Sequence, residues 1–217
     1  MQTSWLAATR FLSRVYRRYP RTHRLHVLVR WLTCPFVRTL EDLPAGGRML
    51  EIGAGHGIYC YLATRDPNRR VYAVEPDLRK AVNPNHATGV QWIAAFDDAV
   101  RGTFDTIVIY DATYRMSIAY RTELYRRVFD RLRPGGTFIL KDMDPGHRWK
   151  MKWARFQEWL SDTFLKVSIG EGFIYQTRAE VEATLRGIGF GEFRAREVDA
   201  GYPHPHVIYA ARRPAPR

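Results

Sequence analysis

The stretch MLEIGAGHGIYCYLA, Met49–Ala63, decides how the chain is read. A short apolar run carrying an acid, Glu51, leads into glycines at alternate positions, Gly53, Gly55 and Gly57, and a second apolar segment follows. Such a run reads as a strand, the glycines as a sharp bend where side chains would clash, and the second segment as a helix. The amides at the start of that helix make a polar, electropositive mouth. By itself the spacing fits a bare tight turn, a dinucleotide-binding turn or another nucleotide site. A dinucleotide fingerprint wants GxGxxG, and here the third glycine arrives one residue early; no GKS or GKT follows, so a Walker loop is excluded. Glu75 lies 24 positions beyond Glu51, at the predicted end of the second strand, where a carboxylate can accept both hydroxyls of a ribose.

Outward from this stretch the chain alternates strand and helix. Strands are predicted at 48–52, 70–74, 90–94, 106–110 and 137–140, with Glu75 and Asp111 at two strand tips. The helix over 118–132 is expected to stop at Pro134-Gly135-Gly136. Thr177 and Glu180 match a capping box for a helix that ends at Gly187-Ile188-Gly189. The strands predicted over 190–198 and 205–211 flank DAGYPHP, a turn suited to a hairpin. The expected fold is an α/β, Rossmann-like three-layer sandwich. It has a mostly parallel seven-stranded sheet, an antiparallel C-terminal hairpin and an N-terminal helical cap. Residues 1–44 are assigned to the cap and 45–217 to the main domain.

The composition supports a globular chain: 217 residues, 46% hydrophobic, with 34 basic against 22 acidic residues, a net charge of +12. This balance favours acidic partners such as nucleic acid, an anionic membrane surface or a phosphorylated substrate. Two cysteines, Cys34 and Cys60, argue against a disulfide scaffold or a thiolate-rich metal site. No apolar stretch approaches transmembrane length and no signal peptide is evident, so a cytoplasmic chain is expected.

The first forty residues carry eight arginines and no Asp or Glu. Trp5, Ala8, Leu12 and Tyr16 recur at helical spacing until Pro20 interrupts. A second helix over 23–32 is expected to turn Leu25, Leu28, Val29 and Leu32 to its apolar side. The element reads as a cap packed on the main domain, with peripheral contact to anionic membrane through residues 1–40 as a further reading. RNA-backbone contact ranks lower, since arginines alone carry no recognition module.

The pieces LEIGAGHG (50–57), VYAVEPD (71–77), WIAAFDD (92–98), FDTIVIYDATY (104–114) and LRPGGTFILKD (132–142), taken in order, resemble the class I S-adenosylmethionine-dependent methyltransferase family. The resemblance implies that S-adenosyl-L-methionine is the cofactor and that the loop Gly53, Ala54, Gly55 to Gly57 holds its methionine part. It further implies that Glu75 binds the ribose, that Phe96 and Asp97 border the adenine, with Asp98 the alternative acid, and that Asp111 lies near the methionine amine. Glu51, directly before the glycines, is placed to face a cationic ligand group.

Methyl transfer needs alignment, exclusion of water and sometimes removal of a proton, so no universal triad is sought. His147 and Tyr114 are the candidate catalytic residues. Arg148 and Lys150 are candidates to hold a carboxylate or phosphate. Phe173 and Tyr175, with Tyr16, Tyr19 and Trp31 of the cap, are candidates to roof an apolar pocket. No metal is expected, because Asp111 with Asp142 or Asp144 lacks the second half of a catechol-type site. The predicted activity is methylation of a small, apolar or amphipathic acceptor. The alternatives are an RNA methyltransferase, although neither an NPPY-type motif nor a K-D-K-E set is present, a protein methyltransferase, and a non-catalytic cofactor-binding or scaffold protein.

Overall fold

The computed structural model describes residues 4–81, 89–97, 100–146, 150, 152 and 174–216. Strands β1 (Gly47–Ile52), β2 (Arg69–Val74), β3 (Val90–Ile93), β4 (Phe104–Tyr110), β5 (Leu132–Met143), β6 (Gly191–Glu197) and β7 (His206–Arg212) form one sheet in the order β3-β2-β1-β4-β5-β7-β6. β1 to β5 pair in parallel, whereas β7 is antiparallel to both β5 and β6. The sheet therefore grows in one direction from β1 through β2 to β3, and in the other from β4. Such a reversal opens a crevice at the carboxyl ends of the strands. The central strands bury both faces, and Leu50, Ile107, Val108, Ile109, Ile139 and Leu140 are wholly shielded.

Two apolar layers flank the sheet. On one face pack α1 (Trp5–Val15), α2 (Arg21–Thr33), α3 (Phe36–Thr39) and α4 (Ile58–Ala63); all six residues of α4 are buried. The other face holds α5 (Ile118–Arg131) and α6 (Arg178–Ile188). α5 starts on Ser117, whose side chain accepts from the Tyr120 amide, and α6 starts on the expected capping box of Thr177 and Glu180. Aromatic rings link the cap to the sheet: Trp31 stacks against Phe36, and Phe36 against Tyr110 of β4 at 4.7 Å. The cap thus shares its core with the sheet.

Two local expectations are corrected. The helix over 118–132 is found as Ile118–Arg131, but the strand expected over 137–140 is longer, running from Leu132 to Met143. The Pro-Gly-Gly residues form a bulge within β5, where the register against β4 shifts between Phe104 and Thr106. The Arg213 guanidinium donates to the Phe129, Asp130 and Leu132 carbonyls, satisfying the end of α5 in place of a glycine cap. Secondly, Leu25, Leu28, Val29 and Leu32 of α2 face outward, while Val27 and Trp31 are the buried positions. The inner side of α2 meets α1 and α3 through Trp31, so the four-residue stripe is left on the surface. Most of the helix predicted over 149–164 lies outside the described residues.

Candidate functional site

The bend after β1 is built as its glycines require. Gly53, Gly55 and Gly57 have φ of 75°, 56° and 77°, the left-handed region that side chains avoid. The Gly53 and Ala54 amides donate to the Val74 carbonyl at 2.9 and 3.0 Å, which ties the turn to the end of β2. A Cβ on Gly53 would lie 2.8 Å from the Ala112 methyl, and one on Gly57 2.8 Å from the Trp92 ring. At Gly55 a Cβ would meet nothing within 4 Å. Gly53 and Gly57 are thus demanded by packing, while Gly55 presents bare backbone to open space. Behind the turn, the Tyr16 hydroxyl donates to the His56 carbonyl at 2.7 Å.

Three buried carboxyl groups stand around this turn, each with different partners. Glu75 accepts from the Gly55 amide at 2.9 Å on one oxygen, and from the Asp77 amide at 3.1 Å and the Lys80 ammonium at 3.0 Å on the other. Glu51 accepts from Cys60, whose thiol lies 2.8 Å away, and burial pushes its pKa up to about 7. Asp111 caps β4 with a φ of 52°, held by its amide bond to the Lys141 carbonyl. Burial alone would raise its pKa, but Lys141 and Arg30 outweigh burial and keep it below the ordinary carboxylate range. The Arg30 guanidinium lies 2.8 Å from one Asp111 oxygen, and the wholly buried Lys141 ammonium binds the other.

These groups line a cleft of 480 Å³ at the carboxyl ends of β1, β2 and β4. Its lining includes the apolar Phe36, Ile58 and Tyr110 and the polar His26, Arg30, Lys80, Tyr114 and Arg115. The His56 ring sits 4.6 Å from that of His26 and 4.9 Å from that of His23. Burial, and then its histidine neighbours and Lys80, bring His56 down to about 4, so the ring is neutral near pH 7. Burial, aided by the Asp111 charge, moves the Tyr114 phenol to about 12, and its ring stacks on Tyr175 at 6.1 Å. Arg121 of α5, 1% exposed, holds this corner together. It donates to the Met116 carbonyl at 3.0 Å, to Gln176 Oε1 at 3.1 Å and to the Ile174 carbonyl.

Of the residues singled out in the sequence, Glu51, Gly53, Ala54, Gly55, Glu75, Asp111 and Tyr114 come together on this cleft. Gly57 stands behind the turn as the first residue of the α4 entry. Phe96 and Asp97 are not among the lining residues; Phe96 packs beneath the Arg127 guanidinium, 4.9 Å from the ring centre. Asp98, His147, Arg148 and Phe173 lie outside the described residues. Tyr16, Tyr19 and Trp31 do not roof the cleft, for they are buried in the cap core, and the Tyr19 and Tyr61 hydroxyls bond each other at 2.7 Å. Lys150 is neither solvated nor open to an anion, being buried with its ammonium 2.7 Å from Asp199. Asp142 accepts from Thr113 at 2.6 Å and from the Met143 amide. Among the described residues, no group of three or more His, Cys, Asp and Glu side chains is disposed to hold a metal ion.

Lys80 carries no signal in the sequence; Arg30 is set with His23 and His26 by helical spacing and Lys141 opens a dense polar run, but neither pattern announces the contact to Asp111. Lys141 lies near the end of β5 and Arg30 is one of eight arginines in the first forty residues, so only the contact to Asp111 marks them as partners of this site.

The model of a family described as "Methyltransferase domain" matches residues 24–190. Over 105 residues the chain is 32% identical to the secondary metabolism regulator laeA of Aspergillus fumigatus, covering 46% of this chain and 28% of that protein. It is equally similar, over the same shares, to the protein-methionine methyltransferase laeA of Emericella nidulans. The chain therefore spans well under half the length of these curated relatives. Human N-acetylserotonin methyltransferase, solved in complex with SAM, superposes with a TM-score of 0.68 at 16% identity, over 99% of this chain and 63% of that one. At that identity the likeness is one of fold.

Proposed function

This chain belongs to the class I S-adenosylmethionine-dependent methyltransferase family, and from that premise we propose that its cleft passes a methyl group to a small, apolar or amphipathic acceptor. The observation that carries the proposal is one continuous cleft. The glycine turn, Glu75 and Asp111 line it together with Tyr114, Arg115 and His26. A donor held at the turn would therefore meet an acceptor within the same cleft.

The residues present fit S-adenosylmethionine. Glu75 is a buried carboxylate at the tip of β2, already accepting from nitrogen donors, and would take the ribose hydroxyls. The open backbone at Gly55 lets a ligand approach without meeting a side chain. Asp111 and Arg30 offer one negative and one positive group, suited to the amine and carboxylate of an amino-acid moiety. When bound, the cofactor supplies an electrophilic methyl on a sulfonium centre.

The chain's own contribution is then orientation and exclusion of water. Asp111 is ionised and held by Arg30 and Lys141, and its depressed pKa makes it a weak base. Tyr114, protonated near neutral pH, offers a hydroxyl for hydrogen bonding and an aromatic face backed by Tyr175. His56, neutral near pH 7, lines the same cleft. Such a site accelerates transfer chiefly by holding acceptor and methyl in line. The acceptor's apolar body would lie against Tyr114, Ala112 and Phe36, and a polar end would reach Arg115 or His26.

A protein acceptor is the second reading, favoured by the similarity to the protein-methionine methyltransferase laeA of Emericella nidulans. One experiment separates the readings: the purified chain is given methyl-labelled cofactor with a small-metabolite extract, a protein extract or total RNA. Label in the small-metabolite fraction is the expected result. Label confined to protein or to RNA would replace the proposal with that acceptor class.

A further inference from the structure

The outer face of the cap has no role in the cleft, yet it is built distinctively. Leu25, Leu28, Val29 and Leu32 lie at i, i+3, i+4 and i+7 along α2, a single helical face. Their exposures are 63%, 51%, 51% and 56%. Beside this stripe runs a groove of 470 Å³ between α1 and α2, floored by Leu12, Val27 and Trp31 and edged by Arg21 and Arg24. Trp5 and Leu6 extend the apolar surface onto α1; Trp5 stacks on Trp31 at 5.7 Å and remains 44% exposed. Exposed arginines at 10, 14, 17, 18, 21 and 24 occur along these elements, and no acid occurs before Glu41.

The charge pattern selects the occupant. A second copy meeting this face across a two-fold axis would bring one acid-free arginine belt against another. A nucleic-acid backbone would satisfy the arginines but leave a continuous aliphatic stripe without a partner. An anionic bilayer satisfies both: aliphatic side chains enter the acyl boundary, guanidinium groups meet phosphates, and a half-exposed Trp suits the headgroup level. No described helix is long and apolar enough to cross a membrane, so contact of this kind is with the surface.

We propose that the outer face of α1 and α2, centred on Leu25, Leu28, Val29 and Leu32, docks on an anionic lipid surface. α2 would then serve two partners, since its other sides carry Arg30 and His26 to the cleft. The proposal is independent of the acceptor's identity.

The test is flotation of the full chain with vesicles of phosphatidylcholine alone or with about 30 mol% phosphatidylglycerol, at low and high salt. Binding is expected only to the anionic vesicles and should weaken with salt. Leu28→Ser/Leu32→Ser should reduce partitioning at least about tenfold at low salt. Arg21→Gln/Arg24→Gln should reduce it about twenty-fivefold, near fivefold for each charge removed. These positions are exposed, so both variants should retain the parent's melting temperature and affinity for S-adenosylhomocysteine. Absence of binding to anionic vesicles at low salt would overturn the proposal. So would undiminished binding by Leu28→Ser/Leu32→Ser, or light scattering that shows a dimer which this variant splits.

Discussion

Arg30 on α2 lies 2.8 Å from the carboxylate of Asp111 at the tip of β4, joining the cap to the sheet across 81 residues of sequence. Lys141 holds the other Asp111 oxygen, so one buried acid serves two cations. The two halves of this arrangement are unequal. Asp111→Asn would leave Lys141, wholly buried, without a counter-charge, and should cost about 3 kcal/mol or more. Arg30→Met leaves the Asp111–Lys141 pair in place and removes a guanidinium that is partly exposed, so about 1 kcal/mol is expected. Denaturant unfolding of the two variants should reproduce that order. Because the folded pKa of Asp111 is depressed, its stabilisation is present above its ordinary value and fades as pH falls through the lowered one. Asp111→Asn should therefore flatten the acid limb of the wild-type stability curve below about pH 4.

Glu51 behaves in the opposite sense. Its folded pKa stands near 7 against an ordinary 4.5, so the unfolded chain loses this proton first. Stability should fall as pH rises from about 4.5 to 7 and then level off, with the full penalty present at about pH 8. Glu51→Gln keeps the shape and removes the ionisation, so it should gain stability relative to wild type at about pH 8, by up to about 3 kcal/mol. Thermal melts of both proteins across this range supply the check. A wild-type advantage that grows with pH would contradict it.

The glycines of the turn should separate into structural and ligand-facing positions. Gly53→Ala drives a methyl into Ala112 and should lower both stability and affinity for S-adenosylhomocysteine. Gly55→Ala meets only the left-handed strain, about 1 kcal/mol, yet sets a methyl group in the open space of the cleft. Its melting temperature should change little while ligand affinity drops at least about tenfold. Calorimetric titration beside a thermal melt distinguishes the two.

Arg121 positions the acceptor corner rather than touching the donor end. Its three donor groups bind the 116 and 174 carbonyls and Gln176 from within the protein. Arg121→Met strands those acceptors and should destabilise the chain by about 3 kcal/mol. Arg121→Lys cannot reproduce the planar fork and should rescue only part of the loss. In steady-state assays the surviving Arg121→Lys enzyme should show a raised KM for the acceptor with little change for the cofactor.

How much of this was legible in the sequence varies by element. The strand, the glycine turn and Glu75 were readable because positive φ at Gly53, Gly55 and Gly57 and an acid at the next strand tip are local demands. The capping box at Thr177 was local in the same way. Pro134-Gly135-Gly136 marked the helix end but hid the start of β5 at Leu132, because only pairing with β4 shows that the strand begins before those residues. α2 misled because a helix with two apolar sides does not state which one its neighbours will cover. Arg30 and Lys141 reach Asp111 from 81 and 30 residues away, and no spacing rule encodes such contacts. The opposite electrostatic states of Glu51 and Asp111 arise from what surrounds each carboxyl group, and sequence position does not convey that.

The central claim is that the cleft between the glycine turn, Glu75 and Asp111 holds the methyl donor. The most direct measurement is calorimetric titration of the full chain and its Glu75→Ala variant with S-adenosylhomocysteine, with NAD as the contrasting ligand. One site of about micromolar affinity in the wild type, weakened at least about tenfold in Glu75→Ala, with no heat from NAD, is the predicted result. Binding of NAD without binding of S-adenosylhomocysteine, or an affinity for S-adenosylhomocysteine that Glu75→Ala leaves unchanged, would contradict it.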